Sequence, residues 1–240
     1  MGTTKYAKTS KKKGVSKSST TKKAKSGDYQ KGRELPVTPK AELKALDNAA
    51  AATLFKPPAG TPVFNYLNGV VAGAEIYQRT GRKIYMKSVH LKGFIYPSGT
   101  ASANMAYLRA VLVYDAQPNG VIPLYADVFK DANAAAASSP TSELNLDNRE
   151  RFSILKEWTW VMGPTAANQS GQTLTDDGSQ CLSFSTFVKL KGLESVYNAT
   201  NGGGIADVTS GSLLMLFVCD VNSTSGAWAM SYSSRLRYYD

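Results

Sequence analysis

From Thr61 onward the chain alternates apolar and polar residues with a period of two, broken at intervals by Gly, Pro, Asn and Asp. That pattern predicts strands joined by polar turns. The most continuous stretch is 106–115, AYLRAVLVYD. As a strand it sends Leu108, Ala110, Leu112 and Tyr114 to one face and Tyr107, Arg109, Val111 and Val113 to the other. Both faces are largely apolar, which predicts a strand covered on both sides. Gln117-Pro118-Asn119-Gly120 then supplies a turn: proline presets φ, while asparagine and glycine tolerate φ > 0.

The same grammar recurs at 63–71, 83–96, 151–161, 181–191, 194–198, 212–220 and 230–239, giving eight predicted strands. In 181–191, Leu182, Phe184, Thr186, Val188 and Leu190 alternate against Cys181, Ser183, Ser185, Phe187 and Lys189. In 151–161, Phe152, Ile154, Trp158 and Trp160 fall on one face, interrupted by Lys156. In 230–239, Met230, Tyr232, Leu236 and Tyr238 oppose Ser231, Ser233, Arg235 and Arg237. Long polar loops at 130–148, 163–180 and 199–211 are expected to cover, contact or gate something. Eight antiparallel strands without regular helices predict an all-β fold, a two-sheet jelly roll or another sandwich. Upstream the period changes. Thr38-Pro39 is placed to open a short helix running through Ala52, stopped by Lys56-Pro57-Pro58. The organisation read from the pattern is an arm at 1–33, a linker with that short helix at 34–60, and a sandwich at 61–240.

Charge sharpens the picture. Residues 1–33 hold Lys5, Lys8, Lys11, Lys12, Lys13, Lys17, Lys22, Lys23, Lys25, Lys31 and Arg33 against the single acid Asp28, while residues 34–240 carry seventeen basic and seventeen acidic residues. The whole excess of +10 therefore belongs to the first thirty-three positions. A segment of Lys, Ser, Thr and Gly has nothing to bury and is expected to be disordered alone. As a coil it would span about 30 Å. Its lysines release counterions from phosphate whatever the base sequence, so a polyanion-binding arm is favoured over a solubilising tail. Lys22-Lys23-Ala24-Lys25 also fits a short nuclear-import pattern.

Other chemistry is sparse. Cys181 and Cys219 are too few for a disulfide framework and, lying in apolar strand runs, are expected as buried reduced thiols. No apolar run approaches the length of a membrane span, and no secretory signal opens the chain, so no membrane partner is expected. His90 is the sole histidine, so a Ser-His-Asp arrangement or a zinc site with Cys181 and Cys219 would need separate strands to converge, and a core or turn-facing histidine is favoured. Asp176-Asp177 reads as solvated turn acids. Asn201-Gly202-Gly203-Gly204 lacks the lysine of a P-loop and reads as a flexible loop. The sequons at Asn168, Asn198 and Asn222 matter only in a secreted protein. No catalytic site, metal or cofactor is expected. Arg79-Thr80-Gly81-Arg82-Lys83, followed by Lys87 and Lys92, has two readings: an extension of the arm's polyanion surface through Arg79, Arg82 and Lys83, or a solvated hairpin turn. Arg235 and Arg237, alternating on one strand face, are read as pairing with acids of a neighbouring subunit, with phosphate as the other reading.

Four stretches taken in order resemble the capsid proteins of geminivirus-like and related circular single-stranded-DNA viruses. They are the basic turn and strand at 77–89, YQRTGRKIYMKSV; the strand and turn at 112–120; NRERFSIL at 148–155; and the pair 213–219 and RLRYYD at 235–240. The resemblance implies a single jelly roll that self-assembles into an icosahedral shell and packages single-stranded DNA, with the basic arm turned inward. It also implies a virion and host-nucleus location, and nuclear-import machinery as a host partner. The Cys/His cluster of the plant-virus members is absent here, and the arm is lysine-rich where arginine is common. From the residues themselves, an RNA-virus or satellite coat and a non-capsid nucleic-acid-binding β protein remain alternatives.

Overall fold

A computed structural model of the chain describes residues 42–55, 62–97, 106–130, 139–162, 181–220 and 228–240. Its strands are β1 (Leu43–Leu54), β2 (Phe64–Tyr66), β3 (Lys83–Pro97), β4 (Ala106–Asp115), β5 (Phe129–Lys130), β6 (Glu143–Leu144), β7 (Phe152–Met162), β8 (Leu182–Tyr197), β9 (Val208–Ser210), β10 (Ser212–Cys219) and β11 (Trp228–Tyr239). One short helix, α1 (Tyr125–Val128), precedes β5.

One sheet has the order β1-β11-β3-β8-β9 and the other β2-β10-β4-β7, with β5 and β6 forming a small ribbon. Every ladder between these strands is antiparallel. Followed along the chain, β1, β2, β3, β4, β7, β8, β10 and β11 pass from one sheet to the other at every step except β4 to β7. Neighbours in space are therefore distant in sequence. This is the double Greek key of an eight-stranded jelly roll, with β9 added to one edge.

The core follows from the alternation. Val89, Leu91 and Ile95 of β3 and Met230, Tyr232, Leu236 and Tyr238 of β11 meet Leu108, Ala110 and Leu112 of β4 and Met215 and Phe217 of β10 between the sheets. The opposite face of β4 and β10 is covered as well. Val111, Val113, Leu214, Leu216 and Val218 pack under Phe64, Tyr125, Val128, Phe129 and Phe152. Both strands are thus buried on both sides, as the double-faced apolar run of 106–115 predicts. Arg109 closes this second cluster: it lies over the Phe129 ring at 4.6 Å, donates to the carbonyls of Pro140 and Ser142 at 3.0 and 2.6 Å, and pairs with Glu157. Asp115, wholly buried, takes a two-pronged ion pair from Arg151 at 2.9 Å.

Five expectations are corrected. The described part of the expected helix is strand β1, which pairs with β11 from Leu43↔Tyr239 to Leu54↔Ala229. Lateral hydrogen bonding and the packing of Leu46 and Ala50 on the core outweigh the helix preference of an alanine run. The sandwich accordingly begins at Leu43 rather than Thr61, and residues 41–240 form one unit. The two expected strands 181–191 and 194–198 are the single strand β8, with the break absorbed by left-handed backbone at Lys191 (φ 53°) and Gly192 (φ 83°). Phe152 and Ile154 do not share a face with Trp158 and Trp160. Leu112 pairs with Lys156 and Val113 with Ile154, so Leu155 is an inserted bulge residue. It turns Phe152 and Ile154 to the outer cluster and Trp158 and Trp160 to the inter-sheet core. Finally, Cys219 is buried but Cys181 is exposed.

Candidate nucleic-acid interface

The outward side of the five-stranded sheet is assembled row by row from β11, β3 and β8. Residues two apart on a strand share a face, and register sets who lies beside whom. One row is Ser233, Lys92, Ser185; the next is Arg235, His90, Phe187; the next is Arg237, Ser88, Lys189. Beyond a bulge at Lys87, Tyr239 lies beside Tyr85 and Tyr85 beside Glu194. The inward residues Ile84, Met86, Val89 and Leu91 are all buried, so the outward side chains of β3 are anchored by buried neighbours on the same strand.

Among the described residues, six cations stand on the strands of this face: Lys83, Lys87, Lys92, Lys189, Arg235 and Arg237. Two carboxylates answer them. Asp47 of β1 takes both guanidinium nitrogens of Arg235 at 2.7 Å, and Lys83 reaches Glu194 at 3.2 Å. The hydrogen bonds from Arg235 hold the Asp47 carboxyl below the usual range. Lys87 donates to the Tyr239 hydroxyl at 2.9 Å and lies 5.2 Å from its ring. Lys92, Lys189 and Arg237 make no ion pair among the described residues. A depression of about 370 Å³ lies between Asp47, His90, Lys92, Ser233, Arg235 and Arg237. A sheet face with uncompensated cations and open relief suits a flexible polyanion.

The model of the geminivirus coat protein/nuclear export factor BR1 family matches residues 2–240. The chain belongs to this family. It is a viral coat-type protein on a jelly roll. No curated protein sequence matches it. Among solved structures, a chain of Desmodium yellow mottle tymovirus is similar over 85% of this chain and 91% of its own length, at 12% identity and a TM-score of 0.32.

Within that coat fold the predicted basic turn divides. Arg79 is buried at 2% exposure. It donates to the carbonyl oxygens of Val70, Gly81, Thr200 and Gly202 at 3.1, 2.9, 2.8 and 3.2 Å and stacks on Tyr197 at 4.4 Å. A guanidinium so engaged has no edge left for phosphate, and Arg79 is corrected from a binding to a structural residue. Arg82 is exposed, with its Nε on the Tyr197 carbonyl at 3.2 Å, and Lys83 stands at the rim of the cationic face. The lysines of 1–33, including the Lys22-Lys23-Ala24-Lys25 tetrad, lie outside the described residues, as do Asp176-Asp177, Asn168 and Asn222.

The loop expected to be flexible at Asn201–Gly204 is instead a built turn. Arg79 grips the Gly202 carbonyl and that of Thr200 just before it, Gly204 donates to Asp207 at 2.9 Å, and a Cβ on Gly203 would sit 2.8 Å from the Gly69 carbonyl oxygen. Below it the buried Asn68 ties the loops to the sandwich through Ser195, Gly211 and the Leu213 amide. The Tyr66 and Tyr197 hydroxyls both donate to its carbonyl, and burial pushes both phenols up. His90 is neither in the core nor in a turn: it stands on the cationic face, 3.2 Å from the Ser185 hydroxyl. Arg235 pairs with an acid of its own chain. Lys189 is a cation of this face that sequence reasoning does not single out as a binding residue, and Arg237 is one for which it places phosphate second. Alternation marks them as solvent-facing, but only cross-strand register gathers them.

Proposed function

We propose that the chain is the subunit of a closed icosahedral shell, and that residues 1–33 and the cationic sheet face together take up single-stranded DNA. The observation that carries this reading is the distribution of charge. An excess of +10 sits in the first thirty-three residues of a chain whose remainder balances, and the balanced part carries its own surplus of cations on one sheet face. Near-neutral bodies tile without mutual repulsion, while the cations neutralise the cargo. Exposed apolar side chains on the loops support contacts between copies: Ile76 is 61% exposed, Val121 62%, Leu124 64% and Leu146 68%.

In this reading the protein does its work by assembly and electrostatics, with no catalysis. The lysine tetrad at 22–25 would serve import into a host nucleus by the host's own machinery, and the assembled protein would reside in the virion. The experiment is direct. The full-length protein and a version lacking residues 1–33 are expressed, imaged by electron microscopy, and assayed for nuclease-protected nucleic acid. Closed particles are expected from the full-length protein, and loss of most protected nucleic acid on truncation. A soluble monomer at all concentrations overturns assembly, and unchanged cargo after truncation overturns the arm's role. The family's description also names a nuclear export factor, and that reading predicts stoichiometric nucleic-acid complexes without closed particles. Sequencing the protected material separates a DNA coat from an RNA coat.

A further inference from the structure

We propose that the cationic sheet face recognises its cargo as a single strand, stacking unpaired bases on Phe187 and Tyr85 while the neighbouring cations hold phosphate. The proposal rests on the reading of this face as a nucleic-acid surface and adds what that surface selects.

Phe187 is 52% exposed and Tyr85 43%. One exposed ring means little. These rings are different because of what surrounds them. Phe187 stands on the polar side of β8, between Ser185 and Lys189, in the same row as His90 and Arg235, with the His90 ring at 6.3 Å. Tyr85 stands between Lys83 and Lys87 on β3. Residues two apart on a strand are separated by about 7 Å, so rings and ammonium groups alternate across a surface on the scale of one extended nucleotide. A duplex keeps its base faces inside the stack and offers such a surface only phosphate. A single strand offers both, and stacking is tolerant of base identity because every base has a π-face. A second copy of this chain is the less suitable occupant. A two-fold contact would set this face against itself, and its excess of cations would meet the same excess.

The test uses the full-length protein, dilute enough to remain unassembled. Three probes of equal length are titrated across a salt series: oligothymidylate, an abasic backbone, and a duplex. A fourth oligonucleotide carrying 5-iodouracil is photo-crosslinked and the attached peptides identified. Crosslinks are expected at Phe187 and Tyr85. Phe187→Ala is expected to weaken oligothymidylate binding about tenfold, within the range for one stacked base. Abasic binding, salt slope and melting temperature should stay unchanged, and Phe187→Trp should keep the affinity. The paired change Lys189→Ala and Arg237→Ala should weaken all three probes and flatten the single-strand salt slope by about 0.7 for each phosphate no longer held. If that pair changes nothing, the face is not a nucleic-acid surface and the underlying reading falls. If it acts while the ring variants affect thymidylate and abasic probes equally, or neither, the stacking proposal alone falls. Crosslinks confined to residues 1–33, together with altered self-association of Phe187→Ala, would assign the face to another subunit and overturn the proposal. Repeating the series with oligouridylate asks whether the face distinguishes DNA from RNA.

Discussion

Arg79 offers the sharpest test of the division between structural and binding cations. Its guanidinium donates four hydrogen bonds to carbonyl oxygens of the 70–81 and 200–202 segments and lies on the Tyr197 ring. A hydrogen bond from a charged donor contributes about 1.5–3 kcal/mol, and a desolvated cation–ring contact about 2 kcal/mol. These terms share one side chain and are not additive, and the Thr200 and Gly202 carbonyls regain water when the loops loosen. Arg79→Ala is therefore expected to lower stability by about 3–5 kcal/mol, the range for removing one partner from a buried charged network. For a domain of this size that corresponds to a fall of about 10 °C in melting temperature. Arg79→Lys keeps the charge but cannot reach four carbonyls with one ammonium, so a loss of about 2 kcal/mol is expected.

The assay pairs urea unfolding of unassembled subunits with oligonucleotide binding at a temperature where the variant is folded. The expected result is a lower urea midpoint with unchanged single-strand affinity and salt slope. Unchanged stability together with weaker binding and a slope shallower by about 0.7 would show Arg79 to be a phosphate contact, and the reasoning would fail.

Three further outcomes are expected. Gly211 and Gly120 both have positive φ, 76° and 74°, but a Cβ on Gly211 would collide with the Glu194 carbonyl oxygen while one on Gly120 meets nothing nearer than 3.7 Å. Gly211→Ala should thus cost at least about 3 kcal/mol and Gly120→Ala only about 1–2 kcal/mol by urea unfolding. A thiol reagent should modify Cys181 in the native subunit and Cys219 only on unfolding, read by mass spectrometry of the labelled peptides. Burial raises the Asp240 carboxyl, but the Thr80 amide and the buried Lys44 ammonium outweigh it and hold the net value below 3.8. A depressed carboxyl stabilises the fold above its unfolded value and loses that contribution as pH falls through the folded one. Asp240→Asn should therefore flatten the acid limb of stability below about pH 4, and an unchanged acid limb would show that the contacts of Asp240 with Thr80 and Lys44 do not stabilise the fold.

The strands that read most clearly are those whose burial is decided by their own residues. β4 and β10 are apolar on both faces, and β11 alternates cleanly between Met230, Tyr232, Leu236, Tyr238 and the serines and arginines. Both patterns survive folding because the core clusters demand them. β1 is illegible for the opposite reason. LKALDNAAAATL has the composition of a helix, and only its ladder with β11, nearly two hundred residues away, makes it a strand. The bulges at Leu155 and at Lys191-Gly192 invert or interrupt the alternation locally, so a period-two reading mispairs faces on one side of each. Arg79 misleads because a basic residue in a Gly-containing turn has the same sequence signature whether its guanidinium turns inward to carbonyls or outward to solvent. The interface is half legible. Lys87, Lys92, Arg235 and Arg237 can be placed on outward faces, but their assembly with Lys189, His90 and Phe187 depends on register between strands far apart in the chain.

Overall neutrality of residues 34–240 therefore hides an asymmetry that matters to how such a chain would work. Six cations and two carboxylates share the outward face of one sheet, so the remainder of that balanced segment must carry the compensating acid. A body that was neutral everywhere would leave all attraction for cargo to residues 1–33 and would give the shell no preferred side. A body polarised across its sheet gives a polyanion one side to settle on and leaves the rest free of surplus positive charge for contacts with neighbouring copies. The first described residues also meet the last at the rim of that side, where Leu43 pairs with Tyr239 beside Lys87. In the proposed reading, covalent linkage of residues 1–33 to this body would let two weak electrostatic sites act as one stronger one without any new contact. Net charge, read as a single number, separates the first thirty-three residues from the rest; the register of β11, β3 and β8 is what gathers cations of the remainder onto one sheet face.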